Sequence, residues 1–270
     1  MKKILCLCLP LLLCAFQAKN TSRDQALEDL ANAERAFSAA SVKKGIKAAF
    51  VEYLADDGLV FMPGPVNGKE AYGKMPESNA RLSWYPAFAD ISGSLDWGYT
   101  TGPYELRPGP EAGKPTGAGF YLSVWEKQPD GQWKVAVDLG NSFPPELIRQ
   151  EAYQPVLETA GREAAKGAEA ELLAADVQQA QPYAPQTLIY RHGQYPYRYH
   201  TAAPEPAGDI VYSTLGHDIS PAADMAYTYG SYTQSGGEEA QAGYYLKVWK
   251  VLDGEWRLVA HNLVPDRKQP

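Results

Sequence analysis

Cysteine is scarce in this chain of 270 residues, and none lies beyond residue 14. The three cysteines, Cys6, Cys8 and Cys14, all fall in the first fourteen residues. We therefore expect no disulfide, no zinc–thiolate cluster and no cysteine nucleophile in the body of the protein.

Positive charge and long apolar runs are also lacking. The chain has 25 Lys and Arg against 32 Asp and Glu, a net charge of −7. A nucleic-acid-binding protein needs a basic face, so this balance argues against nucleic acid as a partner. After the amino terminus there is no run of about 18 apolar residues, so we expect no transmembrane segment.

Signatures of metal and cofactor sites are missing as well. The four histidines have spacings that match no zinc signature. There is no glycine-rich phosphate loop, dinucleotide fingerprint or nucleophile elbow. The sequence therefore predicts no metal site and no cofactor.

The amino terminus has the pattern of an export signal. Two lysines precede an apolar stretch over residues 4–13, which is too short to span a membrane but suits a secretory signal. We expect a signal peptide over residues 1–18, with cleavage after Ala18; the alternative is lipoprotein processing, with a lipid anchor at Cys14. Either route predicts a protein that is periplasmic or anchored in the cell envelope.

An internal repeat decides the predicted architecture. Three blocks recur in the same order: residues 92–104 match 220–232, 119–125 match 243–249, and 130–135 match 253–258. Repeated blocks in a fixed order indicate a duplicated unit. The sequence predicts a first copy over residues 22–144, a helical linker over 145–164 and a second copy over 165–266.

The two copies differ in their front halves. Apolar residues at helical spacing predict helices around residues 27–37 and 46–54, followed by a strand at 59–62 and a helix over 68–81. Asp-Gly turns predict hairpins in both copies. Eleven residues separate Asp176 from Leu188, whereas twenty-four separate the matching Glu34 from Leu59. A helix of the second copy is therefore missing or remade as loop.

This order of elements resembles the SnoaL-like and ketosteroid-isomerase-like group of the nuclear transport factor 2 superfamily. The resemblance is carried by residues 33–37, 45–50, 59–68, 119–125 and 130–138, and in the second copy by the strands alone. It implies an α+β fold of two cone-like domains. Each is a curved antiparallel sheet wrapped around helices, and the second copy is degenerate in its helical half. Family members pair through their sheets, which implies an intramolecular pseudo-dimer of the two copies.

Alternation along the hairpin of the first copy predicts two faces. One, apolar throughout, must be core: Phe120, Leu122, Val124, Trp133, Val135 and Val137. The other carries Tyr121, Ser123, Trp125, Lys134, Ala136 and Asp138. We favour the simpler interpretation, in which this second face packs on the other copy. The alternative is catalytic, with Asp138 as general base and Tyr121 stabilising an enolate, as the resemblance implies for isomerase members.

The predicted function follows from the cavity that the resemblance implies. We expect the first copy to bind a small apolar or aromatic ligand. The candidate ligand-binding residues are Trp84, Tyr85, Tyr53, Ser123 and Trp125. The alternatives are an isomerase, cyclase or dehydratase that uses Asp138 with Tyr121, and an interaction module of the envelope.

Overall fold

The computed structural model describes residues 22–110, 113–156, 168–199, 209–235 and 241–266. The predicted signal peptide (1–18) and Cys14 lie outside these ranges. Residues 22–156 form the first unit, with these elements: α1 (Arg23–Lys44), α2 (Ile46–Tyr53), β1 (Leu54–Phe61), β2 (Pro65–Asn67), α3 (Gly68–Lys74), β3 (Arg81–Trp84), β4 (Phe88–Ile91), β5 (Trp97–Arg107), β6 (Gly117–Lys127), β7 (Trp133–Phe143) and β8 (Gln154–Pro155).

The described residues from 168 to 266 form the second unit. Its elements are α4 (Ala168–Asp176), β9 (Tyr183–Arg191), β10 (Tyr197–Arg198), β11 (Ile210–Ile219), β12 (Met225–Gln234), β13 (Gln241–Leu252) and β14 (Glu255–Pro265). Within the described part of this unit, α4 is the single helix. The shortened front half that the sequence predicts is confirmed.

The long helix α1 begins and ends at residues suited to those positions. Ser22 accepts a hydrogen bond from the main-chain N–H of Gln25, which satisfies an otherwise unpaired donor of the first turn. Gly45 ends the helix at φ 93°, a conformation that glycine adopts without strain. The face of α1 that packs on the sheet is apolar except for Glu34 and two serines.

The six strands of the second sheet follow the same order as six strands of the first, which also contains β3 and β8. The first runs β2-β1-β7-β6-β5-β4-β8, with β3 also paired to β5, and the second runs β10-β9-β14-β13-β12-β11. The predicted antiparallel sheets also contain parallel pairs: β1 with β7 and β4 with β8 in the first sheet, and β9 with β14 in the second. Equivalent strands therefore occupy equivalent places in the two units.

The sheet of the first unit has one face for the helices and one face for the second unit. The helix-side core includes Leu27, Leu30, Phe37, Phe50, Trp84, Trp125 and Trp133. On the opposite face, residues of both units form one inter-sheet core, which includes Trp97, Phe120, Leu122, Val124, Val137, Tyr190, Tyr227, Leu246 and Val248. The ring of Trp97 stacks on that of Tyr227, with centroids 6.1 Å apart.

Buried polar contacts also join the units. Lys250 of β13 donates to Asp90 of β4 at 2.6 Å, and Arg23 of α1 contacts the other oxygen of the same carboxylate. Thr101 and Tyr190 share a hydrogen bond of 2.8 Å between their hydroxyls. The side-chain amide of Asn141 donates to the Asn262 oxygen at 2.9 Å.

Two expectations about helices need correction. The helical linker is wrong for residues 145–156, which contain one 3-10 turn (Pro145–Leu147) and then β8, paired with β4. Prolines interrupt helical hydrogen bonding there. The helix expected over 68–81 ends at Lys74, because Pro76 disfavours helical backbone at the residue before it. None of the helices in the described ranges is long and apolar enough to span a membrane.

Candidate functional site

A cavity of about 260 Å³ lies on the helix side of the first sheet. Much of its wall is aromatic: Phe37, Phe50, Tyr72, Trp84, Tyr104 and Tyr121. Its polar wall consists mainly of Glu34, Ser123 and Asp138. Gly140 is the exposed residue of the lining, and Phe61 and Met62 are half-buried. The cavity is therefore an aromatic pocket with two acidic side chains.

Asp138 lies on β7 directly opposite Ser123 on β6, so the two side chains share a face, as the hairpin pattern predicts. The Ser123 hydroxyl donates to Oδ1 of Asp138 at 2.7 Å. Removal from water raises the pKa of Asp138 to about 6, although the Ser123 hydrogen bond opposes this shift. A carboxyl with that pKa can exchange a proton near neutral pH.

Tyr121 shares the cavity wall with Asp138. Its hydroxyl is buried near Thr100 and, among the described residues, makes no hydrogen bond of ordinary geometry. Burial, together with the nearby charge of Glu34, raises the pKa of Tyr121 well above its usual range. The phenol therefore stays protonated and has an O–H to donate to a bound molecule.

Glu34 is a site residue that the sequence analysis missed. It projects from α1 and is fully buried. Its carboxylate accepts hydrogen bonds from the Trp84 indole, the Thr100 hydroxyl and, at 2.9 Å, the Trp125 indole. Burial raises the pKa of Glu34 to about 7, despite these donors. The signal was available, because a carboxylate within the apolar stripe of an amphipathic helix is unusual.

The prediction of which hairpin face packs on the second unit was wrong. The Phe120 side of β6 meets the second unit, whereas Tyr121 and Trp125 face the helices. A bulge between Val124 and Trp125 shifts the pairing, so Trp125 lies opposite Val135. Trp133 and Val135 therefore join the helix-side core, and Ala136 joins the inter-sheet core. An extra residue in one strand exchanges the faces beyond it.

The structure places the predicted ligand-binding residues in three different settings. Trp84 and Ser123 line the cavity. Trp125 is fully buried behind the cavity wall and donates a hydrogen bond to Glu34. Tyr53 stacks on Phe37 outside the lining, and Tyr85 is 37% exposed, its hydroxyl accepting from the main-chain N–H of Glu151.

The second unit contains a related cluster at the equivalent place. Asp176 at the end of α4 corresponds to Glu34 and is also fully buried. It accepts hydrogen bonds from Thr228 at 2.7 Å and from Tyr245 at 2.5 Å. The Trp249 indole donates to Thr228 at 2.8 Å, much as the Trp125 indole donates to Thr100 at 3.0 Å.

Two residues that differ between the units fill the space in this second cluster. Lys247 pairs with His261 in the ladder, just as Ser123 pairs with Asp138. The buried Lys247 ammonium lies 3.2 Å from Oδ1 of Asp176, and burial lowers the pKa of Lys247 to about 8. The His261 ring lies between the hydroxyls of Tyr183 and Tyr212, at 3.0 and 3.3 Å, and burial lowers its pKa well below the usual value. The equivalent space is thus taken by side chains.

One part of the first cavity's wall contacts the second unit. The ring of Phe61 lies 6.3 Å from those of Tyr229 and Tyr244. A Cβ atom at Gly64, in the next turn, would come within 2.9 Å of the Tyr244 ring. Only glycine allows so close an approach between the units.

Metal chemistry finds no support in the part of the chain that is described. No group of three or more His, Cys, Asp or Glu side chains there could hold a metal ion.

No protein-family model and no curated protein matches this chain. Among solved structures, a protein of unknown function with a cystatin-like fold from Nostoc punctiforme is 19% identical, with a TM-score of 0.35, over 46% of this chain and 94% of that one. A ketosteroid isomerase-like protein from Erwinia carotovora is 18% identical, with a TM-score of 0.36, over 45% of this chain and 99% of that one. A nuclear-transport-factor-2-like protein of unknown function from Shewanella oneidensis is 17% identical, with a TM-score of 0.34, over 42% and 96%.

At these identities and TM-scores the matches carry no argument about activity or ligand. In the first unit the helices pack on one face of a sheet whose first long strand, β1, pairs in parallel with its last long strand, β7. The α+β class with two sheets that the sequence predicts is confirmed.

Proposed function

We propose that the first unit binds a small molecule, largely apolar or aromatic, in its cavity. The observation that carries this proposal is the cavity of about 260 Å³ with an aromatic wall. Pockets of drug-sized ligands begin at about 300 Å³, so the ligand is small. Stacking on the rings supplies affinity, while Asp138 and the Tyr121 hydroxyl orient its polar groups.

Ligand capture can be tested by native mass spectrometry of the purified protein and by a thermal-shift screen of small aromatic compounds. Gly140→Leu is a blocking variant, because a Cβ there meets only the Tyr104 ring at 3.6 Å. Gly73→Leu is the matched control, since nothing lies within 4 Å of its Cβ position. A ligand held equally by both variants would place binding outside the cavity.

A second candidate function is proton-transfer catalysis of the isomerase, cyclase or dehydratase type. It is favoured by the raised pKa of Asp138, to about 6, in the same cavity as a protonated Tyr121. Asp138 would take a proton from carbon next to a carbonyl group, and Tyr121 would donate a hydrogen bond to the resulting enolate oxygen.

Deuterium exchange at the α-carbon of small ketones, followed by NMR, tests the catalytic candidate. We expect Asp138→Asn to remove exchange above the solvent rate while the cavity and its ligands are retained. Exchange that persists in Asp138→Asn would exclude Asp138 as the base.

We further propose that the units are two copies of one domain and that the second serves mainly to pair with the first. The shared strand order and the inter-sheet core support this proposal. Export remains a proposal from the sequence of residues 1–18. Mass spectrometry of the protein from its native cells would distinguish cleavage after Ala18 from lipidation at Cys14.

A further inference from the structure

The second unit places a fixed alkylammonium group where the first unit has an open cavity. Lys247 occupies the ladder position that Ser123 holds in the first unit, each opposite a threonine of the preceding strand. Asp176 stands where Glu34 stands. The two clusters therefore differ mainly in what fills the space beside the buried carboxylate.

The ammonium of Lys247 is held by charge and by aromatic rings. It lies 3.2 Å from Oδ1 of Asp176 and donates to the main-chain oxygen of the same residue at 2.6 Å. It also lies 3.5 Å from the ring centroid of Tyr212 and 4.6 Å from that of Tyr245. A cation over ring faces beside a carboxylate is the arrangement by which proteins bind ammonium groups.

The first cavity has the corresponding cage without the cation. Tyr121 matches Tyr245, and Trp84, opposite Tyr104, matches Tyr212, opposite Tyr232, while the short Ser123 leaves the centre open. Glu34 and Asp138 both line this space, and no Lys, Arg or His is among the described residues that do. Two carboxyl groups facing a partly enclosed space without a cation are poorly compensated when ionised.

We propose that the first cavity binds an organic cation, a primary ammonium on a small apolar or aromatic body, with the ammonium beside Glu34. This inference rests on the proposed function and names its ligand class. The ammonium takes the place that Lys247 Nζ has in the second unit, and the ligand body lies against the rings. Because α1 continues to Lys44, the Glu34 main-chain oxygen is used within the helix, and Glu34 and Asp138 supply the negative charge.

Three ligands of similar shape test the proposal on the unaltered protein: 2-phenylethylamine, 2-phenylethanol and phenylacetate, measured by calorimetry near neutral pH. We expect the amine to bind about tenfold more tightly than the alcohol, and phenylacetate to bind most weakly. If the alcohol or the acid binds as well as the amine, the cavity binds ligands but the cation inference is overturned. If the amine does not bind at about 1 mM, the inference also fails, and failure of all three together with the wider aromatic screen overturns the proposed function itself.

A transplanted lysine provides an independent test. Ser123→Lys places in the first unit the side chain that the second unit has, and its ammonium should exclude the amine ligand, with at least a tenfold loss of affinity. Ser123→Ala is the matched control, which removes the hydroxyl without adding charge, and Ser123→Lys should bind the amine at least tenfold more weakly than Ser123→Ala does. Equal amine affinity in the two variants would contradict the assigned ammonium position.

Discussion

Each unit has a buried carboxylate beside a threonine and a tryptophan at equivalent positions, but the two units compensate the carboxylate charge differently. In the second unit the Lys247 ammonium pairs with Asp176, and a neutral His261 completes the packing. In the first unit Glu34 and Asp138 have raised pKa values and face open space. One sheet scaffold therefore supports either a closed, internally paired core or an open site, depending on two side chains.

The largest expected effect comes from separating the units. Residues 19–144 alone would expose the Phe120, Leu122 and Val124 face of β6, which now packs in the inter-sheet core. Soluble proteins rarely expose apolar patches of more than a few hundred Å². We expect this fragment to aggregate or self-dimerise, as measured by analytical ultracentrifugation. A monomeric, soluble fragment as heat-stable as the full chain would show that pairing is dispensable.

The next largest effect concerns the buried ion pair. Lys247→Met leaves the Asp176 carboxylate buried without its cation, and removing one partner of such a pair costs about 3–5 kcal/mol of unfolding free energy. Ser123→Ala, the equivalent change in the first unit, removes one hydrogen bond and should cost about 1 kcal/mol. Urea unfolding measures both. Similar losses of unfolding free energy would mean that the buried ion pair of the second unit contributes no more than the Ser123–Asp138 hydrogen bond of the first.

The pH dependence of the unfolding free energy should reflect the two cavity carboxyl groups of the first unit. The titratable groups that face its cavity are Glu34, Tyr72, Tyr104, Tyr121 and Asp138. Folding raises the pKa of Glu34 from 4.5 to about 7 and that of Asp138 from 3.8 to about 6, so the folded state binds more protons than the unfolded state between these values. Their contribution to stability is therefore greatest at low pH and is lost as the pH rises through about 6 to 7.

The double variant Glu34→Gln with Asp138→Asn isolates this contribution. Subtracting its urea-unfolding curve at each pH from that of the unaltered protein should leave a difference that declines between about pH 4 and pH 7. The second unit makes the opposite contribution through His261, whose lowered pKa favours folding above its usual titration range. A difference curve that is flat or rises with pH would contradict the raised pKa values.

The smallest effect tests one contact between the units. Tyr190→Phe removes the hydroxyl that shares a 2.8 Å hydrogen bond with Thr101. The ring still packs against Phe120, so we expect a loss of about 0.5–1.5 kcal/mol in thermal or urea unfolding. A loss of several kcal/mol would mean that this bond does more to hold the units together than the apolar contact does.

Much of the fold could be predicted from local patterns. The repeated Gly and aromatic positions indicated equivalent strands, and alternation from the Asp-Gly turn indicated that Asp138 shares a face with Tyr121 and Ser123. The bulge near Trp125 could not be predicted, because it depends on how the strand packs against helices distant in sequence. It is also the reason that the face meeting the second unit was assigned wrongly.

The candidate site was less predictable than the fold. Asp138, Tyr121, Ser123 and Trp84 do line one cavity, which alternation along strands could suggest but not establish. The sequence identified Glu34 only as the counterpart of Asp176, since its role in the site depends on donors from β3, β5 and β6 that are distant in sequence. Short-range spacing cannot reveal such a convergence.

The contact between Gly64 and the Tyr244 ring has a consequence for how the binding preference of this protein could evolve. Tyr244 of the second unit contacts Phe61, which lines the first cavity, and packs against the turn that follows Phe61. A mutation of Tyr244 to a smaller residue would remove this support from Phe61 and from the 63–65 turn while every residue of the cavity wall stayed the same. A residue of the second unit thus provides a route by which the ligand preference of the first cavity can change.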